Sequence, residues 1–400
     1  SMGEVIEPLT PMGIVRFEGE YWKAESADGD IGKGEYVEIL GINKLVLAVK
    51  RGSFNDISTG ITANTGKSAE GFLDPGYIAL YWSGELKKRV EALEERLASC
   101  DICPRECGVN RLKDERGECH SGRLPAVASF CAHNGEEPAL SGKRGSGSIF
   151  FGNCNLLCVY CQNYQISQDY DAQRLNEVDA HMLAEHMLYL QDKQHCHNIN
   201  LVSPSHFVPQ IMRAVLEAIP MGLRLPLVYN TSSYDSLETL KELDGIVSIY
   251  LADLRYAEDE KGKEYSGVPD YVRRAHSAIK EMYRQVGDLV LDDEDVARQG
   301  LVIRHLILPN RLAGSRESLT WLAGEISTNV TLSIMSQYHP AHHAHQFSLL
   351  SRTIVEEEYM EVTGILAELG MENGWLQDMD ASHHYLPDFK ANGHPFESDK

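Results

Sequence analysis

The hydrophobic and polar positions divide the chain into a β-rich start and a longer alternating part. Residues 8–50 carry short apolar runs, such as 45–49, with glycine-containing turns between them. Short runs bounded by turns predict strands, and the pattern predicts a small antiparallel, all-β barrel over residues 1–52. Residues 53–72 are rich in Ser, Thr, Asn and Gly, which predicts a linker.

From residue 146 onward, strand-like and helix-like patterns alternate. Helical stripes, such as the one at 181–193, separate six apolar runs, which predict strands at 148–151, 198–203, 225–230, 246–253, 301–308 and 330–338. Alternation of this kind predicts an α/β fold with a parallel sheet. We expect a partial (β/α)6 TIM-type barrel over 146–400, with a C-terminal helical segment and a site at the carboxyl ends of its strands.

Residues 73–145 connect the two parts. A helix is predicted at about 84–99, because Leu86, Val90, Leu93 and Leu97 fall on one helical face. A cysteine-rich extension follows this helix and completes the predicted region.

Composition and charge narrow the function. With 43% hydrophobic and 24% charged residues among 400, the chain is globular. A formal charge of −22 argues against nucleic acid as a partner. No apolar run reaches the roughly 18 residues of a membrane span, and the start shows no secretory pattern. Nine cysteines then indicate reduced thiols or metal ligands in a cytoplasmic protein.

Three cysteines form the most informative motif. Cys154, Cys158 and Cys161 have the spacing C-x3-C-x2-C on the loop predicted after the first barrel strand. Three thiolates leave one iron of a [4Fe-4S] cluster open, whereas ferredoxins supply four cysteines per cluster. A three-cysteine zinc site or buried thiols are the alternatives. The motif, with Tyr160 before its last cysteine, resembles the radical SAM superfamily. That resemblance implies that S-adenosylmethionine binds the open iron and is cleaved reductively to a 5′-deoxyadenosyl radical.

Residues 73–400 resemble a subgroup of unassigned substrate among proteins related to pyruvate formate-lyase activating enzyme. The resemblance rests on the motifs at 103–111, 135–138, 161–164 and 206–209. It implies contacts with S-adenosylmethionine from Tyr160, Asn230, Thr231, Asp253, Arg255, Tyr338 and His339. One departure concerns the methionine amine, which activases bind with Gly-Gly-Glu after the second strand. This chain has Ser203-Pro204-Ser205-His206 there, so the hydroxyls of Ser203 and Ser205, with backbone carbonyls, are expected to replace the carboxylate.

A second group of cysteines precedes the first. Cys100, Cys103, Cys107 and Cys119 suffice to close a tetrahedral zinc site or a second four-iron cluster. A structural role is expected, because ligation would order a segment with little core of its own. Four ordinary thiols are the alternative. Cys131 and Cys196 are expected to fill core volume.

The predicted N-terminal barrel has its own resemblance. The runs at 9–13, 19–24 and 31–37 are similar to the soluble C-terminal OB-fold domain of NfeD-type proteins. This resemblance implies a binding or assembly role for an OB-like module.

Together these features predict a radical SAM enzyme that abstracts hydrogen from its substrate. The resemblance to activases favours a glycyl or other peptide residue as substrate and a flavodoxin- or ferredoxin-type electron donor. Two alternatives remain at this point. One is a non-enzymatic iron–sulfur electron carrier or scaffold, and the other is a radical methylase, for which Cys131 is the candidate extra cysteine.

Overall fold

The computed structural model describes residues 2–17, 20–33, 35–43, 46–51, 74–379, 387–390 and 395–396. The predicted linker at 53–72 lies outside these residues. The chain divides into two compact units, Ser1–Asp74 and Pro75–Lys400. No helix of the described residues is long and apolar enough to cross a membrane.

The first unit is a closed five-stranded barrel with the order β1-β2-β3-β5-β4. Its strands are β1 (Met2–Glu7), β2 (Met12–Phe17), β3 (Glu20–Ser26), β4 (Tyr36–Asn43) and β5 (Val46–Arg51). The predicted barrel is present, but one pair, β3 with β5, is parallel. Strand β3 runs parallel to β1, because β2 is antiparallel to both. Strand β5 also runs parallel to β1, because β4 is antiparallel to both, so β3 and β5 run in the same direction. Its separate core includes Val5, Val15 and Val49.

The second unit contains one large, mainly parallel sheet, ordered β14-β13-β12-β10-β9-β8-β7-β6. Its strands are β6 (Val127–His133), β7 (Ser146–Phe151), β8 (Ile199–Val202), β9 (Leu227–Thr231), β10 (Ile249–Asp253), β11 (Val290–Leu291), β12 (Ala297–Leu306), β13 (Thr331–Met335) and β14 (Gly374–Leu376). All six predicted strands are found. Strands β6 and β11 are antiparallel to their neighbours. The sequence missed β6 and β14, since β6 is largely half-buried and β14 has three residues.

Helices connect these strands. They are α1 (Gly76–Trp82), α2 (Glu85–Glu95), α3 (Pro138–Ser141), α4 (Tyr164–Ser167), α5 (Tyr170–Gln173), α6 (Ala180–Asp192), α7 (Val208–Ala218), α8 (Leu237–Glu242), α9 (Asp259–Ser266), α10 (Tyr271–Val286), α11 (Ser315–Glu325) and α12 (Glu356–Leu369). The helix predicted at 84–99 is α2 followed by a 3-10 turn, Arg96–Ser99.

Alternation along the strands gives the sheet two different faces. Outer-face residues such as Ile199 and Leu201 belong to the main core, beneath the helices. On the inner face, Val228, Leu251 and Val302 form a smaller apolar cluster with residues of α3. The short helix α3 therefore covers part of the inner face and leaves a cavity beside it.

Candidate active site

The loop after β7 carries the three cysteines of the C-x3-C-x2-C motif. Backbone hydrogen bonds fix its path, since Leu157 N donates to Ser266 O at 3.0 Å and Val159 N donates to Tyr265 O at 2.9 Å. A Cβ at Gly152 would lie 2.3 Å from Gln173 Oε1, so a larger residue at this point would displace the Gln173 side chain. This loop lies at the carboxyl ends of the parallel strands, as predicted.

The three thiols lie in a dry, hydroxyl-lined environment. Cys158 Sγ is 3.0 Å from Ser266 Oγ, and Cys161 Sγ is 3.2 Å from Ser167 Oγ. Burial, together with the charges of Cys158 and Cys161, raises the pKa of Cys154 to about 12. Burial and the charge of Cys158 raise the pKa of Cys161 to about 11.

The donor set fits a [4Fe-4S] cluster. A cubane distributes its three protein thiolates over three irons, so the sulfur atoms need not converge on one point. Among the described residues, no group of three or more His, Cys, Asp or Glu side chains is placed to hold a metal ion. The nearby Arg255 supplies a cation beside the sulfur atoms, with its Nη1 3.5 Å from Cys158 Sγ.

Arg255 is partly buried and held by several contacts. Its Nη2 forms an ion pair with Asp253 Oδ2 at 2.5 Å, and its backbone N donates to Tyr271 OH at 3.0 Å. Burial lowers its pKa, but Asp253 and Cys158 outweigh this, so the pKa lies well above its ordinary value and the side chain stays charged. Its Nε–H has no hydrogen-bond partner in the described part of the chain. A buried donor without a partner indicates a place for an acceptor from a ligand.

Tyr160 is held by a chain of hydroxyl groups. Its OH lies 2.5 Å from Tyr256 OH, which is 2.8 Å from Ser266 Oγ, the same hydroxyl that contacts Cys158. The Tyr338 ring lies edge-on to Tyr160 at 5.8 Å between centroids. The aromatic ring before the last cysteine is therefore fixed at the site.

A cavity of about 460 Å³ opens beside this loop. Among the residues predicted from the sequence, Tyr160, Cys161, Ser203, Asn230, Thr231, Asp253 and Arg255 line it. Ser205, Tyr338 and His339 are not among its lining residues. Ser205 instead contacts Thr231, with 3.2 Å between the two hydroxyl oxygens, and Tyr338 OH donates to Leu350 O at 2.7 Å.

A buried carboxylate lies behind Thr231. Asp235 accepts hydrogen bonds from Tyr229 OH at 2.8 Å and Thr231 Oγ1 at 2.5 Å. Burial raises the pKa of Asp235, although these hydroxyls oppose the shift. The sequence analysis did not single out Asp235. Its role in the structure is to fix the direction of the Thr231 hydroxyl.

An ionic group on the inner face was also missed. Arg304 of β12 pairs with Glu136 and with both oxygens of Glu137, at 2.7 Å from Nε and 2.7 Å from Nη2 to the Glu137 oxygens. Burial raises the pKa of Glu137, but Arg304 more than offsets this, so the pKa is lowered. The sequence did contain one sign of this group, since Arg304 is a charged residue inside the apolar run at 301–308.

The second group of cysteines lies on a compact loop. Cys100 N donates to Val109 O, and Gly108 N donates to Cys100 O, both at 3.0 Å. Burial raises the pKa of Cys103, and the charges of Cys119 and Cys100 raise it further. Burial also raises the pKa of Cys107, again with contributions from Cys100 and Cys119. The thiols of Cys103 and Cys107 are thus each within electrostatic range of Cys100 and Cys119.

Arg105 joins the two sulfur sites. Its Nε donates to Asn155 O at 2.8 Å, inside the C-x3-C-x2-C loop, and its Nη1 donates to Gly267 O at 2.9 Å. The remaining cysteines differ in burial, since Cys196 is buried and Cys131 is partly exposed. Cys131 lies opposite Ser148 in the β6–β7 pair. The burial of Cys196 fits the predicted core-filling role, whereas the partial exposure of Cys131 fits it less well.

The N-terminal unit matches a known family. Residues 1–51 match the family model described as "NfeD-like C-terminal, partner-binding domain". Over 51 residues this chain is 43% identical to the membrane-bound protease PH1510 of Pyrococcus horikoshii, which is 12% of this chain and 12% of that protein. The chain thus spans about an eighth of that relative. The resemblance predicted for the N-terminal barrel is confirmed.

Most of the chain resembles one archaeal protein. It is 30% identical over 278 residues to the uncharacterized protein MJ0674 of Methanocaldococcus jannaschii, covering 68% of this chain and 75% of that protein. The chain belongs to the same family as this protein.

Two solved structures resemble about three fifths of the chain. They are Streptococcus suis SuiB and anSMEcpe with bound AdoMet, which match 62% and 60% of this chain, while the chain covers 52% and 62% of theirs. The second of these was solved with AdoMet bound. At 10% identity and TM-scores of 0.38 and 0.37, this likeness carries no argument about activity.

Proposed function

We propose that the chain is a radical SAM enzyme that cleaves S-adenosylmethionine reductively and abstracts a hydrogen atom from a substrate in the cavity. The proposal rests on the arrangement of three cysteines and one arginine at the cavity. Cys154, Cys158 and Cys161 follow the first parallel strand, and Arg255, with its unpartnered Nε–H, lies beside them at the cavity. Such an arrangement offers three thiolates to a cluster and a donor to its ligand.

Each side chain has a definite task in this proposal. The three cysteines hold a [4Fe-4S] cluster, which with S-adenosylmethionine supplies a 5′-deoxyadenosyl radical. Arg255 donates to the carboxylate or ribose of S-adenosylmethionine, and Asp253 holds it in place. Tyr160 stacks on the adenine. Asn230 and Ser203 contribute polar groups from neighbouring strand ends.

The amine of S-adenosylmethionine requires acceptors on this chain. Thr231 Oγ1 donates its hydrogen to Asp235, so its oxygen presents lone pairs to its other neighbours. Ser203 lines the cavity and has a positive φ of 59°, which turns the backbone at the end of β8. In our proposal these oxygens, with backbone carbonyls and Ser205, take the place of the glutamate that activases use.

The rest of the chain supports this centre. The order of the six strands β7 to β13 around the cavity supports a partial (β/α)6 barrel over 146–400, with 73–145 as its cysteine-rich extension. Cys100, Cys103, Cys107 and Cys119 hold a second [4Fe-4S] cluster or a zinc ion, and Arg105 connects this site to the first. The N-terminal barrel binds a partner. The electron donor is of the flavodoxin or ferredoxin type, and the substrate is a peptide residue.

The test is anaerobic reconstitution with iron and sulfide, followed by S-adenosylmethionine and dithionite. The unaltered chain should release 5′-deoxyadenosine. Cys154→Ala, Cys158→Ala and Cys161→Ala should each abolish it, because two thiolates cannot hold the cluster in the required orientation. Cys196→Ala is the matched control, since Cys196 is buried outside both groups of cysteines. Cleavage at the unaltered rate in any of the first three variants would refute the proposal.

A further inference from the structure

The floor of the cavity carries charge that the proposed reaction does not use. We infer that the cavity takes a substrate with a positively charged amine on an apolar stem, and that Glu136 binds this amine. The inference rests on the proposed function, because it names the substrate class of the same site. Three observations support it: the charges of the lining residues, the hydrogen bonds at Glu136 and the apolar side chains that line the cavity.

The charges that line the cavity do not balance. Among the described lining residues, the carboxylates of Glu136, Glu137, Asp253 and Asp378 face the guanidinium groups of Arg255 and Arg304. S-adenosylmethionine carries one net positive charge from its sulfonium, ammonium and carboxylate groups. These side chains and S-adenosylmethionine together leave one negative charge, and a [4Fe-4S]2+ cluster on three thiolates would add one more. In a partly desolvated site this charge favours a cationic ligand.

At the floor, Glu136 and Glu137 share one cation, Arg304, so one of these two carboxylates is in surplus. Glu137 engages Arg304 with both oxygens, a bidentate pair that satisfies one charge with another. Glu136 shares Arg304 and accepts from Asn200 Nδ2 at 3.0 Å. Asn200 is fully buried on the inner face, and its Oδ1 has no partner among the described residues. Acceptors thus outnumber donors at Glu136, as a binding site for an ammonium group requires.

Apolar side chains line the same cavity as this floor and Cys161. Phe150 and Phe396 lie with ring centroids 5.7 Å apart, and Met335, Leu306 and Trp375 line the same cavity. Cys161 also lines it. A ligand with its amine at Glu136 would therefore extend its apolar stem past these side chains toward the cysteine loop. An alkylammonium group has this chemistry, as a free amine or as a lysine side chain.

The experiment is calorimetric titration of the reconstituted full chain at pH 8, where histidine is neutral, with and without S-adenosylmethionine. The probes are pentylammonium, 1-pentanol and hexanoate, which share one pentyl stem and differ in charge. Pentylammonium should bind about tenfold or more tightly than the other two, as for a hydrogen bond to a charged group. 1,5-Diaminopentane and an N-acetyl-lysine methylamide then distinguish a free amine from a lysine side chain by their relative affinity.

Two variants test whether Glu136 is the residue that gives the preference for pentylammonium. Glu136→Gln keeps the side chain's shape and should remove the preference for pentylammonium. Glu358→Gln is the matched control, because Glu358 is likewise buried and paired with an arginine, Arg352, but does not line the cavity. It should keep the preference. The comparison of the three probes on the unaltered chain does not depend on how any variant folds.

Three results would overturn the inference. They are equal or tighter binding of hexanoate, an unchanged preference in a folded Glu136→Gln, and loss of pentylammonium binding when S-adenosylmethionine is added. The last result would assign Glu136 to the cofactor's own amine. Release of 5′-deoxyadenosine is measured separately. If it proceeds without a preference for pentylammonium, the inference fails and the proposed function stands, whereas a preference without cleavage refutes the proposed function.

Discussion

At the scale of single residues, the sequence predicted what is local. Cys154, Cys158 and Cys161 lie on one short loop, so their spacing alone placed them together. Arg304 and Glu136 are 168 positions apart, and only the sheet order brings them into contact. Asp235 was missed for a related reason, since its partner Thr231 is nearby but nothing in the sequence shows that its carboxylate is buried.

Arg105 allows a test of the link between the two sulfur sites. Arg105→Ala removes charge-assisted hydrogen bonds to Asn155 O and Gly267 O. The free energy of unfolding should fall by about 1–3 kcal/mol, measured by urea denaturation. Arg96→Ala is the control, because Arg96 pairs with exposed Asp101 and should change stability by less than about 1 kcal/mol. Equal effects of the two substitutions would show that the Arg105 contacts are unimportant.

Glu358 should leave a signature in the pH dependence of stability. It accepts hydrogen bonds from Asn310 N at the start of one loop and from Val355 N before α12. Burial raises its pKa, but Arg352 and these backbone groups lower it to about 2 in total. A lowered pKa stabilises the fold above the unfolded value of about 4.3, and this stabilisation is lost as pH falls toward 2.

The measurement compares the chain with Glu358→Gln. The difference in their free energy of unfolding should be full above about pH 5 and shrink as pH falls toward 2. Exposed Glu372→Gln serves as the control and should show no such trend. A difference that stays constant across this range would contradict the assignment.

At the scale of elements, the six parallel strands were predicted because apolar residues dominate each run, as in buried parallel strands. The β6 edge strand and the short helix α3 were not predicted. Strand β6 is fully buried only at its two end residues, and α3 is four residues long. Yet α3 and the turn before it form the cavity floor, which carries Glu136 and Glu137. The hydrophobic periodicity of the sequence is weakest in this segment, so the charged floor was not predicted.

Two glycines, one in a strand and one in a helix, should respond oppositely to an added methyl group. Gly300 in β12 has φ 129°, and an added Cβ would lie 2.4 Å from Leu289 Cα. Gly300→Ala should therefore lower the free energy of unfolding by at least about 1–3 kcal/mol. Gly364 lies inside α12 with nothing within 4 Å of an added Cβ. Gly364→Ala should raise stability by about 0.5–1 kcal/mol. Opposite signs in thermal or urea unfolding support the account, and a stabilising Gly300→Ala would contradict it.

At the scale of the whole molecule, the chain combines two units with separate cores. The barrel core around Val5 and Val15 shares no residue with the main core of the second unit. The sequence predicted this division because the compositional change and the Ser/Gly-rich stretch coincide. It could not predict how the six strands assemble around the floor formed by 134–145, since that depends on contacts distant in sequence.

Deletion of residues 1–74 tests the division. The remaining unit, Pro75–Lys400, contains all nine cysteines and its own core. It should fold, with unchanged iron content per chain and unchanged release of 5′-deoxyadenosine. Circular dichroism and iron analysis of the two proteins check this. A truncated chain that is folded but loses iron would show that the barrel is part of the catalytic unit.

The most direct test of the central claim is whether S-adenosylmethionine binds the cluster held by Cys154, Cys158 and Cys161. Electron paramagnetic resonance of the dithionite-reduced protein, recorded with and without S-adenosylmethionine, gives this answer. We predict that the cofactor changes the spectrum of the unaltered chain and of Cys103→Ala, which alters only the second sulfur site, but not that of Cys158→Ala. Identical spectra with and without S-adenosylmethionine in the unaltered, iron-loaded chain would contradict the account.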